Sequence, residues 1–276
     1  MNEHIEPEVE VARRTLLLGL GGAVVALSAS DSVAAPVDAS VTRRALAGRN
    51  ISFVDLTHKL TKEFNPPAGR TRIAMEAIDG SGVKVGMLLN QLTLVEHTGT
   101  HIDVPRHFGR EGKSLGELPL SDLIVPLAVI DMRAKAAANS DVAVEPADIL
   151  AWERRHGQLP KGCCVAMWAD WRPLERRQIP GGAGASPGSP GFGPAVSDFL
   201  MKERDVRAIA VEAGSIDIGT NGPAYPVHQA WLRSGRWALE FVTNLDKVPL
   251  SGALMIVGAA PIEDATGMPV RLMAMF

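Results

Sequence analysis

Three histidines and one aspartate lie within eleven residues of this chain, in the segment His97-Thr-Gly-Thr-His101-Ile-Asp103-Val-Pro-Arg-His107. The chain has seven histidines in 276 residues, and an even distribution would place about 0.3 of them in such a window. Imidazole nitrogens and a carboxylate oxygen bind divalent ions such as zinc or manganese, and the lack of cysteine here favours a catalytic type of site. The cluster therefore predicts a metal centre rather than surface histidines that only form hydrogen bonds.

The four side chains of this cluster have the properties that metal-dependent hydrolysis requires. A divalent ion lowers the pKa of the water that it binds, and it also polarises a carbonyl group. If His97, His101 and Asp103 are the ligands, His107 remains as the candidate catalytic acid and base. The sequence thus predicts a metal-dependent hydrolase.

The backbone of the cluster is predicted to be extended. Residues 88–96, just before it, are rich in apolar and β-favouring types, and Gly99 and Pro105 argue against one continuous helix. Residues two apart in a strand share a face, so His101 and Asp103 are expected to point the same way. The competing helical pattern has a glutamate between two histidines four apart, but threonine and glycine occupy that interval.

Apolar runs elsewhere predict the sheet that positions this segment, and their alternation with helical segments predicts an α/β fold class. Helices are predicted at Pro146–His156 and from Pro194 onwards, because proline suits a first helical turn and Gly157 suits a helix end. Strands are predicted at residues 51–56, 123–132, 163–168, 206–211, 237–242, 254–257 and 270–276.

Two side chains outside the cluster could also bind a cation. Glu240 lies inside the predicted strand at residues 237–242, and a carboxylate buried there needs a cationic partner, either an arginine or a metal ion. His228 lies twelve residues earlier, near the predicted start of a short helix, where a histidine on a helix face is the simpler explanation. The residues alone leave these alternatives open.

The first 34 residues have the features of an export signal of the twin-arginine type. Arg13 and Arg14 precede an uncharged run over residues 15–29, which is long enough for a signal and short for a membrane span. Ser32 and Ala34 suit cleavage, although an uncleaved membrane anchor is the alternative. We therefore expect an exported, periplasmic protein, with a loose linker at residues 35–50 and a single domain at residues 51–276.

The charge composition gives no sign of a nucleic-acid or membrane partner, so we expect the binding partner to be a small molecule. The 28 basic and 31 acidic residues nearly balance and form no long run of one sign, so neither nucleic acid nor a stable membrane association is indicated. The only cysteines, Cys163 and Cys164, are adjacent, and a disulfide between neighbours is strained and closes almost no loop. We predict that both are buried strand residues.

The segment from His97 to Phe108 resembles the signature of the metal-dependent cyclase family, which includes bacterial kynurenine formamidases and isatin hydrolases. The resemblance covers roughly residues 51–260 and includes Asp55-Leu-Thr-His-Lys-Leu60, Trp168-Ala-Asp-Trp171 and Ser215-Ile-Asp217. It implies a swivelling β/β/α fold, with a central mixed sheet or barrel-like core and flanking helices. It also implies assembly as a homodimer or homotetramer.

The resemblance implies a ligand set and a reaction as well. The implied metal ligands are His97, His101, Asp103, His228 and Glu240. Asp103 would bridge where two ions are present, and His107 matches the acid–base histidine. Members of the family use zinc or manganese, and they open either an N-formyl group on an aromatic amine or the lactam of isatin.

Other reactions and roles remain open at the level of sequence. The same residues could hydrolyse a lactone, or cyclise and dehydrate a small aromatic or polyketide-like substrate. A periplasmic metal-binding protein without catalysis would need the same ligands but no free His107. An aromatic substrate is expected because five aromatic side chains could wall a pocket, although each could instead belong to the core: Phe64, Phe108, Trp168, Trp171 and Phe192.

Overall fold

The computed structural model describes residues 40–46, 48–61, 73–78, 87–171 and 188–276, which belong to one compact unit. The predicted export signal at residues 1–34, the start of the predicted linker and Phe64 lie outside these ranges. Among the described residues, no helix has both the length and the apolar character that crossing a bilayer requires.

A ten-stranded mixed sheet forms the centre of the molecule, in the order β1-β2-β14-β12-β6-β8-β10-β11-β5-β13. Two short ribbons, β3 with β4 and β7 with β9, lie apart from it. In chain order the strands are β1 (Val41–Leu46), β2 (Arg49–Asp55), β3 (Ala74–Ala77), β4 (Asn90–Thr93), β5 (His101–Asp103), β6 (Ile124–Asp131), β7 (Ala143–Val144), β8 (Cys164–Trp168), β9 (Gly191–Phe192), β10 (Ala208–Val211), β11 (Trp237–Glu240), β12 (Ala253–Gly258), β13 (Gly267–Pro269) and β14 (Arg271–Met275).

Four neighbouring strands, β6, β8, β10 and β11, are parallel, and the strands on either side of them pair antiparallel. Parallel neighbours need crossover connections, and helices supply them here. The helices are α1 (Arg133–Ala138), α2 (Pro146–His156), α3 (Pro194–Lys202) and α4 (Pro226–Arg233). The predicted bounds of α2 and the predicted start of α3 are confirmed, as is the central mixed sheet.

The two faces of the sheet bury two separate apolar clusters, which β8 illustrates. Cys164 and Ala166 face one cluster, whereas Cys163, Val165 and Met167 face the other. The predicted burial of both cysteines is thereby confirmed. The second cluster also contains the apolar residues of the helices, among them Ile149, Trp152, Val196, Leu200, Trp231 and Leu232.

The first face curls around its own cluster. Residues from β2 and β14 share this cluster with residues from β10 and β11, although these strands are far apart in the sheet order. The amide of Thr243, after β11, donates to the carbonyl of Leu56, after β2, at 3.1 Å, and a bridge joins Thr57 to Val242. These contacts give the barrel-like core that the resemblance implies.

The prediction of a loose linker at residues 35–50 is wrong over its described part. Val41–Leu46 forms β1, which pairs antiparallel with β2 in a hairpin closed by Gly48, whose φ is 75°. Residues 42–45 are all exposed, so the apolar alternation by which a half-buried strand is recognised is missing. The backbone hydrogen bonds between β1 and β2 form the hairpin instead, and these cannot be recognised from side-chain types.

Candidate metal centre

β5 sets the direction of His101 and Asp103. It is buried between β11 and β13, and its register on β11 pairs His101 with Glu240. Because side chains two apart share a face, Asp103 Oδ1 lies 3.2 Å from His101 Nε2. Oε2 of Glu240, from the neighbouring strand, lies 3.5 Å from the same nitrogen. The predicted strand and the shared face of His101 and Asp103 are confirmed.

His97 and His107 reach the same place from outside the strand. Gly99 turns the chain between His97 and β5 with a φ of 66°, which glycine adopts at little cost. A short 3-10 turn over Pro105–His107 follows β5. Nδ1 of His97 lies 2.6 Å from Asp103 Oδ1, and the rings of His97 and His107 are 4.0 Å apart between centroids.

His228 and Glu240 join this cluster from distant stretches of the chain. His228 lies in the first turn of α4, and its Nε2 is 3.1 Å from Glu240 Oε1 and 3.5 Å from Asp103 Oδ2. Glu240 is only 3% exposed, and its third contact is the amide of Ile216 at 3.0 Å. The described partners of Glu240 are thus two histidines and an amide rather than an arginine, which favours the metal alternative.

Asp217 orients His228, and reasoning from residue types missed this role. The carboxylate is fully buried and lies 2.7 Å from His228 Nδ1. When Nδ1–H donates to a carboxylate, the lone pair of Nε2 stays available for a ligand bond. The available signal was an aspartate in an apolar stretch eleven residues before His228.

Burial and charge oppose each other in this cluster. Burial lowers the pKa of His101, but the carboxylates of Asp103 and Glu240 outweigh burial and raise the pKa to about 9. Burial also lowers the pKa of His228, and hydrogen bonds to Asp103, Asp217 and Glu240 raise it well above its usual value. Burial raises the pKa of Asp103, yet the facing histidines bring it well below its usual range. The cluster therefore stabilises positive charge.

The donor set fits a divalent cation. Two overlapping groups offer one nitrogen or oxygen per residue, with all ligand atoms of a group within 4.8 Å of one another: His97, Asp103 and His107 in one, and His101, Asp103 and Glu240 in the other. Asp103 belongs to both groups and would be a ligand in either. Imidazole and carboxylate donors without sulfur suit zinc and manganese alike.

His107 differs from His101 and His228 in the direction of its pKa shift and in its access to solvent. Burial, together with the neighbouring His97 and His228, lowers the pKa of His107 to about 4 against the opposing charge of Asp103. The ring is therefore neutral at neutral pH and can accept a proton. It lines an open cavity of about 480 Å³ with Arg106, Phe108, Gly109, Arg110 and Thr266.

Phe108 lies at the site, as predicted. Its ring centroid is 5.0 Å from that of His228 and 4.9 Å from that of His107. Two further aromatic residues at the site were not predicted. The ring of Tyr225 lies 5.5 Å from that of His228, and the ring of Phe241 lies 6.3 Å from that of His101.

The other predicted pocket residues that the structure describes pack in or against the apolar clusters. Phe192 is fully buried in the second apolar cluster, so its prediction as a pocket wall is wrong. The reason is that β9 pairs with β7, and Phe192 shares the second cluster with apolar residues of the helices. Trp168 packs on the first cluster with the guanidinium of Arg133 3.7 Å from its ring, and Trp171 packs on the second cluster. Both tryptophans are thus partly buried residues at the edge of the apolar core.

A family match classifies the chain. A family model described as "Putative cyclase" matches residues 54–218, which include the histidine cluster and Asp217. The chain belongs to the cyclase family. His228 and Glu240 lie beyond the matched region, and the fold brings them to the cluster.

Relatives of this chain are hydrolases. Isatin hydrolase from Roseibium aggregatum is 33% identical over 197 residues, which are 67% of this chain and 74% of the relative. Kynurenine formamidase from Geobacillus thermodenitrificans is 27% identical over 223 residues, 79% of this chain and 95% of the relative. The solved structure of isatin hydrolase A from Labrenzia aggregata bound to benzyl benzoate has a TM-score of 0.73 at 32% identity, covering 82% of this chain and 93% of that chain. The protein is thus a cyclase-family hydrolase whose donor set fits a metal ion.

Proposed function

We propose that this protein is a metal-dependent amidohydrolase that opens the C–N bond of a cyclic amide of the isatin type or of an aryl formamide. One observation carries the proposal. Donor side chains from β5, α4 and β11 meet around Asp103, with the neutral His107 beside them at an open cavity. The two substrate classes follow the names of the relatives, isatin hydrolase and kynurenine formamidase.

The candidate ligands define where the cofactor would be held. One or two zinc or manganese ions would be bound by His97, His101, Asp103, His228 and Glu240. A bound ion would supply Lewis acidity, which polarises the substrate carbonyl and lowers the pKa of water.

His107 is the residue to which we assign proton transfer. It accepts a proton from the attacking water as the water oxygen bonds to the carbonyl carbon, and it gives that proton to the nitrogen as the C–N bond breaks. The products are a carboxylic acid and an amine, which stay in one molecule when a lactam is opened. The contact between the rings of His107 and His97 fixes the donor beside the candidate metal site.

An aromatic substrate is supported by the aromatic groups beside the candidate ligands. Phe108 and Tyr225 both pack on His228, so an aromatic ring entering here would meet aromatic surface next to the candidate ligands. The cavity volume of about 480 Å³ falls within the range of pockets that bind small ligands, about 300–1,000 Å³.

Metal content and a small substrate panel test the proposal together. We expect the purified protein to contain zinc or manganese, to hydrolyse isatin or N-formylkynurenine, to lose activity with a chelator and to regain it when the metal is restored. Faster turnover of a simple lactone would make lactone hydrolysis the better assignment. Metal binding without turnover of any amide or ester in the panel would indicate a metal-binding protein instead.

We also propose that the protein is a homodimer or homotetramer. The ribbon of β3 and β4 and the residues before β4 expose large apolar side chains: Met75, Ile78, Met87, Leu88, Leu89 and Leu92. Leu88 is 94% exposed, and Met75 lies opposite Leu92 across the ribbon. Exposed apolar patches mark interaction sites on soluble proteins. Light scattering should show an oligomer that dissociates when Leu88 and Leu92 are both changed to serine. A monomeric wild-type protein would contradict this proposal.

A further inference from the structure

Two of the histidine ligands are held from outside the cluster through the same ring nitrogen. Nδ1 of His101 lies 2.8 Å from the carbonyl oxygen of Gly99, and Nδ1 of His228 lies 2.7 Å from Asp217 Oδ2. Both outer groups are acceptors, so each ring donates outwards from Nδ1 and presents Nε2 inwards.

His97 has the opposite orientation. Its Nδ1 faces the cluster, 2.6 Å from Asp103 Oδ1, and its Nε2 points outwards to the hydroxyl of Thr266 at 3.0 Å. A hydroxyl can donate or accept, so Thr266 alone does not decide which nitrogen of His97 carries the proton. The decision depends on where the single hydroxyl hydrogen of Thr266 is directed.

Glu96 fixes that hydrogen. The hydroxyl of Thr266 donates to Glu96 Oε2 in a short hydrogen bond, and the amide of Thr266 donates to Glu96 Oε1 at 3.3 Å. With its hydrogen directed to Glu96, the hydroxyl oxygen can only accept from His97 Nε2. Nε2 must then carry a proton, so Nδ1, which faces the acceptor Asp103 Oδ1, is the nitrogen that would give up its proton and offer a lone pair when an ion binds.

The backbone near Thr266 confines the His97 ring in this orientation. Gly267 pairs with Asp103 in the ladder between β13 and β5, and the amide of Val104 donates to the carbonyl of Thr266 at 3.1 Å. A Cβ placed on Gly267 would lie 2.6 Å from Cε1 of His97, so the ring packs directly against glycine backbone. The ladder thus holds Thr266 and the ring at a fixed separation.

We propose that Glu96 and Thr266 are positioning residues that hold His97 in the tautomer protonated on Nε2 and thereby present Nδ1 to the metal ion. The inference rests on the proposed metal-dependent function. It assigns to Glu96 and Thr266 the role that Asp217 has for His228. Such outer partners typically change metal affinity about 10- to 100-fold when they are removed.

Three variants separate this role from a general effect on folding. Thr266→Val keeps the shape of the side chain and removes the hydroxyl, and Thr266→Ser restores the hydroxyl. Glu96→Ala leaves Thr266 in place but frees its hydrogen. Thr57→Val is the matched control, because the Thr57 hydroxyl binds backbone at Leu272, outside the cluster.

Chelator competition gives the zinc and manganese affinity of each variant, and spectra of the zinc-loaded protein with ¹⁵N-labelled histidine give the tautomer of His97. We expect affinity about 10- to 100-fold lower in Thr266→Val and Glu96→Ala, near wild type in Thr266→Ser and Thr57→Val, and a wild-type His97 with its proton on Nε2. Unchanged affinity in both Thr266→Val and Glu96→Ala, or a proton on Nδ1, overturns the inference alone. A wild-type protein that binds neither metal overturns the proposed function and this inference with it.

Discussion

The carboxylate of Asp217 binds both the ring and the backbone of His228, at 2.7 Å from Nδ1 and 3.0 Å from the amide nitrogen. It also accepts a hydrogen bond from the amide of Val227 at 2.9 Å. The first amides of a helix lack partners within the helix, and Asp217 satisfies two of them in α4. One buried side chain therefore fixes both the start of α4 and the direction of its candidate ligand.

Asp217→Asn is expected to lower metal affinity by about 10- to 100-fold, because a neutral amide replaces a charged acceptor without changing the size of the side chain. Chelator competition measures the loss. Asp198→Asn is the matched control, since that exposed carboxylate pairs with Lys202 on the surface of α3. Equal affinity in the two variants would show that Asp217 has no part in metal binding.

Glu240→Gln is expected to strip the metal from the purified protein. Glu240 faces His101 and His228 with its two oxygens, and an amide group cannot supply the same negative charge to a cation. Elemental analysis of Glu240→Gln beside His228→Ala measures the occupancy. Full occupancy in both variants would remove these residues from the ligand set.

His107→Ala is expected to lower the turnover rate by about 10²- to 10⁴-fold with metal content retained, because the acid–base group is lost and the other donors remain. His156→Ala is the control, since His156 lies exposed at the end of α2 against Trp152. Loss of metal from His107→Ala would make His107 a ligand, and normal turnover would remove it from catalysis.

Neither cysteine is expected to react with a thiol reagent in the native protein. Burial raises the pKa of Cys163 to about 12 and raises that of Cys164 well above its usual value. An unfolded thiol has a pKa of about 8.5, so both become reactive at pH 8 only when the chain unfolds. A chromogenic disulfide reagent with and without denaturant measures this. Rapid labelling of the native protein would contradict the prediction.

We propose that residues 1–34 direct export through the twin-arginine route. A reporter fused after Ala34 should appear in the periplasm of a bacterium that has this route, and the paired change Arg13→Lys and Arg14→Lys should retain it in the cytoplasm. Cell fractionation measures the distribution. Cytoplasmic retention of the unchanged fusion would show that the segment is no signal.

The strand containing His101 and Asp103 could be predicted because alternation of side chains is a local property of extended backbone. The approach of His97 and His107 could not be predicted in the same way. It depends on the positive φ of Gly99 and on the turn over Pro105–His107, which the surrounding fold determines. The residue types were enough to predict which side chains are metal donors, but the distances between those side chains depend on the fold.

The contribution of Glu240 shows what the sequence left undecided. A carboxylate inside an apolar strand needs a cation, but sequence spacing does not distinguish an arginine from a metal cluster. The register of β11 on β5 makes that distinction, because it places Glu240 opposite His101. Asp217 and Thr266 escaped prediction for a related reason: each acts on a histidine through a contact between separate elements.

The ladder between β5 and β11 links the alignment of the sheet to ion binding. Glu240 faces His101 across this ladder, and Ala238 faces Asp103. A slip of one residue would turn Glu240 to the opposite surface and away from both histidines. An ion that binds only the natively aligned chain would stabilise that chain relative to the misaligned one, and would so increase the fraction of chains with the native alignment. The supply of metal during synthesis would thus act as a check on correct strand pairing.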